Sequence, residues 1–437
     1  MLKIIIPDNN IPEREYVVRC LFFDFLGLDY HLVLEENCST YTVCFEDKQI
    51  IFKDAFFANM PVDLSYLNPE NVPLNIHYLI NEFTVEKDIP VIYGTDEQLV
   101  CENIIFCGID IFASSYFMLT RWEELIHKFR DNHNRFPGIE SIAYKYNFLT
   151  RPLVNEYVEM LWNMMIKLGF KGERKKRSFE VSLTHDIDGL TYSSARTIMG
   201  DFIKRKDFKL GLEHTRFLLA HDPYDTFDFL MTCSEKIGVK SHFYFMASDT
   251  KREFDTGYYL NRGFFRTVVR RIKDRGHIIG FHPGYYTYDD AARWVYEKQL
   301  LEEAIKQEVK EGRQHFLRLD ISKTLSIWDS NNMLIDSTLG YADKEGFRCG
   351  TGDDFYVFDI VKRQRLRLRE RPLIVMDGTI RQYQNYSLET VSEKIRNYFK
   401  IGKKYNMGIT LLFHNSSFYG EWEGYKEMYG NLMMNGL

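Results

Sequence analysis

Two carboxylates stand two residues apart at the end of an apolar run, Val181-Ser182-Leu183-Thr184-His185-Asp186-Ile187-Asp188, and the run stops at Gly189. A strand alternates its side chains, so Thr184, Asp186 and Asp188 share one face, with His185 and Ile187 on the other. Two like charges roughly 7 Å apart at a strand end are costly unless a metal, a proton or a cation lies between them. The pattern suits a metal ligand beside a general base. The plain alternative is a pair of solvated carboxylates in an ordinary turn.

Strand and helix signals alternate around this segment. Val239–Met246 predicts a buried strand, Phe264–Lys273 a helix and His277–Phe281 another strand. Trp294–Glu311 predicts an amphipathic helix, and Val391–Lys404 a last long helix leading into a strand over Gly408–Phe413. Such alternation implies a parallel sheet, open or closed into a barrel, with functional groups at the strand ends. Upstream, Glu13–Leu28 has helical spacing. Strand-like runs follow at His31–Leu34, Tyr41–Phe45, Gln49–Phe52, Pro90–Tyr93 and Asn103–Phe106, and then helix signals over Ile111–Leu125 and Leu153–Leu168. The polar, basic stretch 171–178 reads as a solvated linker. The expected division is a smaller α/β domain over 1–170, the linker 171–178, and a larger α/β domain over 179–437.

Composition narrows the function. The chain has 437 residues, more than one ordinary core needs. A net charge of −6 gives no electrostatic case for nucleic acid. Seven scattered cysteines, odd in number and without a C-x-x-C pair, fit buried thiols in a reducing compartment. The first residues hold an apolar run too short for a signal peptide, and no stretch of 18 apolar residues occurs, so a cytoplasmic chain with no membrane span is expected.

Several segments, in order, resemble carbohydrate esterase family four, the polysaccharide deacetylases. Thr184-His185-Asp186-Ile187-Asp188-Gly189 resembles the T-F-D-D-G opening motif, with one residue inserted between the aspartates. Val239–Phe245 is similar to the second strand, Gly276–His282 to the start of the G-H-E-I-G-N-H motif, Arg313–Arg318 to the arginine motif, and Leu411–His414 to the closing L-x-x-H. A two-domain subgroup with a T-H-D-[IV]-D opening is more similar still, with Asp110–Glu124 and Asn134–Pro137 resembling its family-specific N-terminal domain.

The resemblance implies a distorted (β/α) barrel and a divalent metal, with zinc the expected ion. It implies Asp186 as general base, Asp188 and His282 as metal ligands, Arg318 beside the base, and His414 as the general acid. Asp336 and Asp343 are candidates to pair with His414. Where that family has its second metal histidine, this chain has Tyr286, after His282-Pro283-Gly284-Tyr285. A third ligand could then come from Asp186, Asp289, Asp290 or His315. Parity puts His277 on the face opposite His282, where a structural role is expected.

The function expected is hydrolytic removal of acetyl groups from an N- or O-acetylated glycan or glycan precursor, through metal-assisted attack of water. Two alternatives stay open. One is a glycan-binding protein on the same scaffold without metal, its groove lined by Tyr285, Tyr286 and Trp328. The other is a hydrolase of a different C–N bond in a small molecule. Arg363, Arg365, Arg367, Arg369 and Arg371 alternate with other residues and read as a charged edge strand more readily than as an anion site.

Overall fold

The computed structural model describes residues 2–193, 195–219, 221–247, 253–255, 258 and 260–435. Two principal sheets form. The first takes strands Leu2–Pro7, Tyr30–Glu35, Thr40–Phe45, Lys48–Lys53, Gly94–Val100 and Ile104–Ile109. Alternation sets its faces: Tyr41, Val43 and Phe45 are buried while their neighbours are half-exposed. The helices Ile11–Arg19, Ile111–Thr120 and Leu153–Lys167 accompany this sheet. The apolar run expected as one helix over 111–125 breaks at Arg121, which adopts a left-handed φ of 55°. Arg121 is fully buried and grips Glu123 and Glu124 at 2.9 Å each. Burial of three charges is tolerable only when they are paired, and the break is what brings them together. Arg348 donates to Glu124 as well, joining this cluster to the second sheet's half of the chain.

The second sheet has nine strands. In space they run Leu373–Met376, Gly408–Leu412, Glu180–Ile187, Ser241–Phe245, Ile278–Phe281, Glu311–Gly312, Ile335–Asp336, Gln364–Glu370 and Phe355–Asp359. Every neighbouring pair is parallel except the last. The sheet curls, but the expected barrel is not closed by hydrogen bonds: among the described residues no ladder joins Leu373–Met376 to the far edge. A small apolar cluster of Leu317, Leu373 and Leu412, with Met376 against it, lies at the Leu373–Met376 edge.

Two surface expectations change. The arginine-rich strand Gln364–Glu370 is paired on both sides and is not an edge. Leu366 and Leu368 face inward, and four of the five arginines are engaged: Arg363 with Glu13, Arg365 over the Tyr356 ring, Arg367 with Asp329 and Arg371 with Asp354. The basic stretch 171–178 is also more than a solvated linker. Arg174 grips Glu159 at 2.7 Å, and Arg177 reaches Asp353 at 2.8 Å. All seven cysteines are free thiols. Among the described residues, no helix is long and apolar enough to cross a membrane.

Candidate active site

Parallel strands point their carboxyl ends the same way, and the chemically capable residues gather there. Asp186 and Asp188 end the strand Glu180–Ile187, His282 follows Ile278–Phe281, and Arg313 follows Glu311–Gly312. Asp377 follows Leu373–Met376, and His414 follows Gly408–Leu412. These strand ends border an open cleft of about 480 Å³.

Asp188, His282 and His315 bring their donor atoms within 4.8 Å of one another. The hydrogen bonds fix which imidazole nitrogen faces inward. His282 Nδ1 donates to the Arg313 carbonyl at 2.6 Å, which leaves the Nε2 lone pair turned to Asp188 Oδ1 at 3.2 Å. His315 Nδ1 donates to Asp255 at 3.0 Å, and its Nε2 lies 3.7 Å from the same Asp188 oxygen. Lone pairs facing a carboxylate oxygen repel unless a cation or a proton sits among them. Tetrahedral ligands at about 2.0–2.1 Å from a zinc ion stand roughly 3.4 Å from each other, and the two separations bracket that value. Each histidine is oriented through its other nitrogen, as metal-binding histidines are. The three residues therefore fit a divalent metal.

The electrostatics agree. Burial works against charging His315, but Asp188 and Asp255 outweigh it and raise its pKa to about 9. Burial works against ionising Asp188 as well, yet His315, His414 and His282 hold its pKa well below the usual carboxylate range. Positive charge is wanted at this point of the fold.

Turn geometry places His315. Its backbone N–H donates to the Pro283 carbonyl, and Phe316 and Leu317 follow with φ of 60° and 55°. Left-handed backbone at two consecutive non-glycine residues is strained. Asp255 ties this turn to the one after His282, accepting from His315 and from the Tyr285 N–H. Gly284 lets the turn pack closely there, because a Cβ would lie 3.0 Å from Asp255 and Glu297 oxygens.

On one side of the three ligands, Arg313 donates to Asp186 at 2.8 Å, and the Arg313 guanidinium is itself held by the Ser337 carbonyl and hydroxyl. On the other side, His414 Nδ1 donates to Asp377 at 2.8 Å, and its Nε2 points back at Asp188 Oδ2 across 3.5 Å. Burial alone would lower the His414 pKa, but Asp377 and then Asp188 raise it to about 10.

Other expected site residues lie elsewhere. Arg318 is not beside Asp186. It is sandwiched between the Tyr285 and Tyr288 rings and donates to the backbone carbonyls of His133 and Tyr285. The guanidinium on Asp186 belongs to Arg313, five residues earlier in the same segment. Tyr285, Tyr286 and Trp328 do not line the cleft. Tyr285 is buried against His133 and Phe254, Tyr286 lies under the Arg293 guanidinium, and Trp328 is fully buried against Trp294. Asp289 and Asp290 are exposed, and Asp290 caps the helix Ala291–Ile305. Asp336 is buried beside Thr338, and Asp343 accepts from Gly138, so neither pairs with His414. His277 lies away from the cleft, accepting from the Ser241 N–H and facing Glu235.

Residues 2–169 match the model of a family of unknown function (DUF7033). No curated protein matches the chain. A solved structure described as "putative polysaccharide deacetylase from Mycobacterium smegmatis" is similar at 14% identity and a TM-score of 0.40, covering 60% of this chain and 86% of that one.

Sequence reasoning passed over Asp255, Asp377 and the aromatic rim of the cleft. Tyr192, Tyr224, Tyr383, Tyr419 and Trp422 supply that rim, with Arg135 from the N-terminal half. Position after an apolar strand was an available signal for Asp377, which follows Leu373–Met376 as Asp186 ends its own strand.

Proposed function

We propose that the chain is a metal-dependent hydrolase that removes acetyl groups from an N- or O-acetylated glycan or glycan precursor. One observation carries the reading: Asp188, His282 and His315 form a ligand set with a carboxylate–arginine pair on one flank and a histidine–carboxylate pair on the other. A divalent ion held by those three would polarise the acyl carbonyl and acidify a bound water.

The protein's own groups supply the rest. Asp186 accepts the proton of the attacking water, and Arg313 fixes the direction of its oxygens. His414, protonated beside Asp377, gives a proton to the departing sugar nitrogen or oxygen. Base and acid are separate groups near Asp188, as water attack and leaving-group protonation in successive steps require. The rim of Tyr192, Tyr224, Tyr419 and Trp422 offers flat faces on which a sugar ring can stack. An open cleft suits a glycan better than a closed small-molecule pocket would.

The test is metal content of the purified protein beside Asp188→Ala and His282→Ala, followed by acetate release from acetylated chito-oligosaccharides and acetylated xylan. Near-stoichiometric metal in the wild type, absent from both variants, and acetate release that needs it are expected. A wild type that takes up no zinc or cobalt would overturn the reading.

A further inference from the structure

A stretch after the strand Glu180–Ile187 turns several apolar side chains outward while burying an acid–histidine pair. Helical turns Ala195–Met199 and Gly200–Arg205 are followed, after a left-handed turn at Lys206, by the helix Phe208–Leu219. They form a hairpin. A surface hairpin ordinarily buries its apolar side chains and exposes its charges. Here Asp201 and His214 are buried and joined at 2.5 Å, with Ser193 bonded to the His214 carbonyl behind them. Met199, Ile203, Phe208 and Leu212 point outward and are 58, 70, 66 and 66% exposed.

Charge accompanies this apolar face. Lys204, Arg205, Lys206, Lys209 and Arg216 outnumber Asp201, Asp207 and Glu213 in the same stretch, although the whole chain carries a net −6. Arg205 is paired with Asp201, whereas Lys204, Lys206 and Lys209 are exposed and have no ion-pair partner among the described residues. Protruding apolar side chains ringed by lysines on a short amphipathic element match the interface of an anionic bilayer, where the former enter the acyl boundary and the latter meet lipid phosphates.

The hairpin is also fastened to the cleft. Glu213 accepts from the hydroxyls of Tyr192 and Tyr419, both on the cleft rim, and the Phe217 ring packs on Tyr419 at 5.2 Å. We infer that this hairpin docks the protein on an anionic lipid bilayer, with Met199, Ile203, Phe208 and Leu212 as the inserting residues and Lys204, Lys206 and Lys209 as the headgroup contacts. Docked this way, the candidate active site stands next to the membrane surface. The inference goes beyond the catalytic reading and needs no turnover for its test.

The experiment is flotation of the full chain with vesicles of phosphatidylcholine alone and with phosphatidylglycerol mixed in. The wild type is expected to float with the anionic vesicles, and less so as salt rises. Phe208→Glu with Leu212→Glu should weaken binding at least tenfold, and so should Lys204→Glu with Lys209→Glu. Val62→Glu with Ile80→Glu, also at exposed apolar positions but in the N-terminal half, should bind as the wild type does. These side chains are exposed, so unchanged circular dichroism is expected throughout. A wild type that ignores anionic vesicles, or hairpin variants that bind undiminished, would overturn the inference. So would a wild-type dimer, seen by light scattering, that the hairpin variants dissociate while no vesicle is bound, because a second copy would then be the occupant.

Discussion

Arg135, from the N-terminal half of the chain, donates to the backbone carbonyl of Phe316 at 3.0 Å, one residue beyond the candidate ligand His315. Its guanidinium is clamped from behind by Asp131 and held by the Tyr383 hydroxyl. Phe316 and Leu317 are strained, and strain persists only where surroundings over-determine it. The N-terminal half therefore bears on the position of His315, and Arg135 is a positioning residue for it.

Arg135→Ala should lower metal affinity by roughly ten- to a hundredfold, as loss of outer partners does at metal sites. Arg135→Lys should recover little, since a lysine cannot reach Asp131, the carbonyl and Tyr383 together. Zinc titration calorimetry checks both. Unchanged affinity in the alanine variant would mean the turn holds itself.

Arg313 and Arg318 should separate cleanly. Arg313→Lys keeps a charge near Asp186 but gives up the fork that also grips Ser337, so kcat should drop by roughly 100-fold. Arg318→Ala removes a guanidinium stacked between two tyrosines and two backbone hydrogen bonds, so it should cost stability by about 2 kcal/mol. Its kcat on acetylated substrate should stay within a few-fold. Steady-state kinetics beside urea unfolding decides, and the reverse pattern would return the base-orienting role to Arg318.

The strand ends were legible and the turns between them were not. Alternation at the end of an apolar run singled out Asp186 and Asp188, whereas His282 and His414 were named only through the ordered family resemblance. Arg313 was missed in favour of Arg318 because only the left-handed backbone at Phe316 and Leu317 turns the later arginine away. His315 could be named only as one of several third ligands, since its nearness to Asp188 depends on that same turn. The partner of His414 was hidden for a topological reason: Leu373–Met376 lies beside Gly408–Leu412, and no local pattern states which strands pair. The helix expected over 294–311 stops at Ile305, where Lys306 turns left-handed and frees Glu311 to enter a strand. The aromatic rim comes from distant loops, and the sequence gives no spacing by which to group them.

If His414 is the general acid proposed above, it should set the alkaline side of the pH profile. Its folded pKa stands at about 10, above the free value, because Asp377 and Asp188 favour the charged ring more strongly than burial opposes it. A raised histidine contributes stability that is complete below its unfolded pKa of roughly 6.5 and disappears as pH rises through the folded value. A general acid must also be protonated, so kcat should fall on the same rise. Asp377→Asn removes the main raising partner. Its alkaline limb should move to lower pH by roughly one to three units, with the acidic limb unmoved. A limb that stays in place would exclude His414 as the group that titrates there.

Removal of metal distinguishes His315 from Tyr286 as the third ligand. A chelator should lower the unfolding midpoint of the wild type, because an ion that binds only the folded chain adds about 2.7 kcal/mol at a hundred times its Kd. His315→Ala should abolish that chelator-sensitive increment, leaving two ligands of the three. Tyr286→Phe should keep it, because that ring packs against Tyr285 and under Arg293, away from the ligand atoms. Differential scanning calorimetry with and without chelator reads all three proteins. Should Tyr286→Phe lose the increment and His315→Ala retain it, the third ligand would be the phenol, and the hydrogen bond from His315 to Asp255 would be only a packing contact of the turn. The expected order follows from chemistry as well as position. An imidazole whose other nitrogen is already committed to a carboxylate turns one defined nitrogen toward the ion, whereas a phenol is a poor ligand beside imidazole.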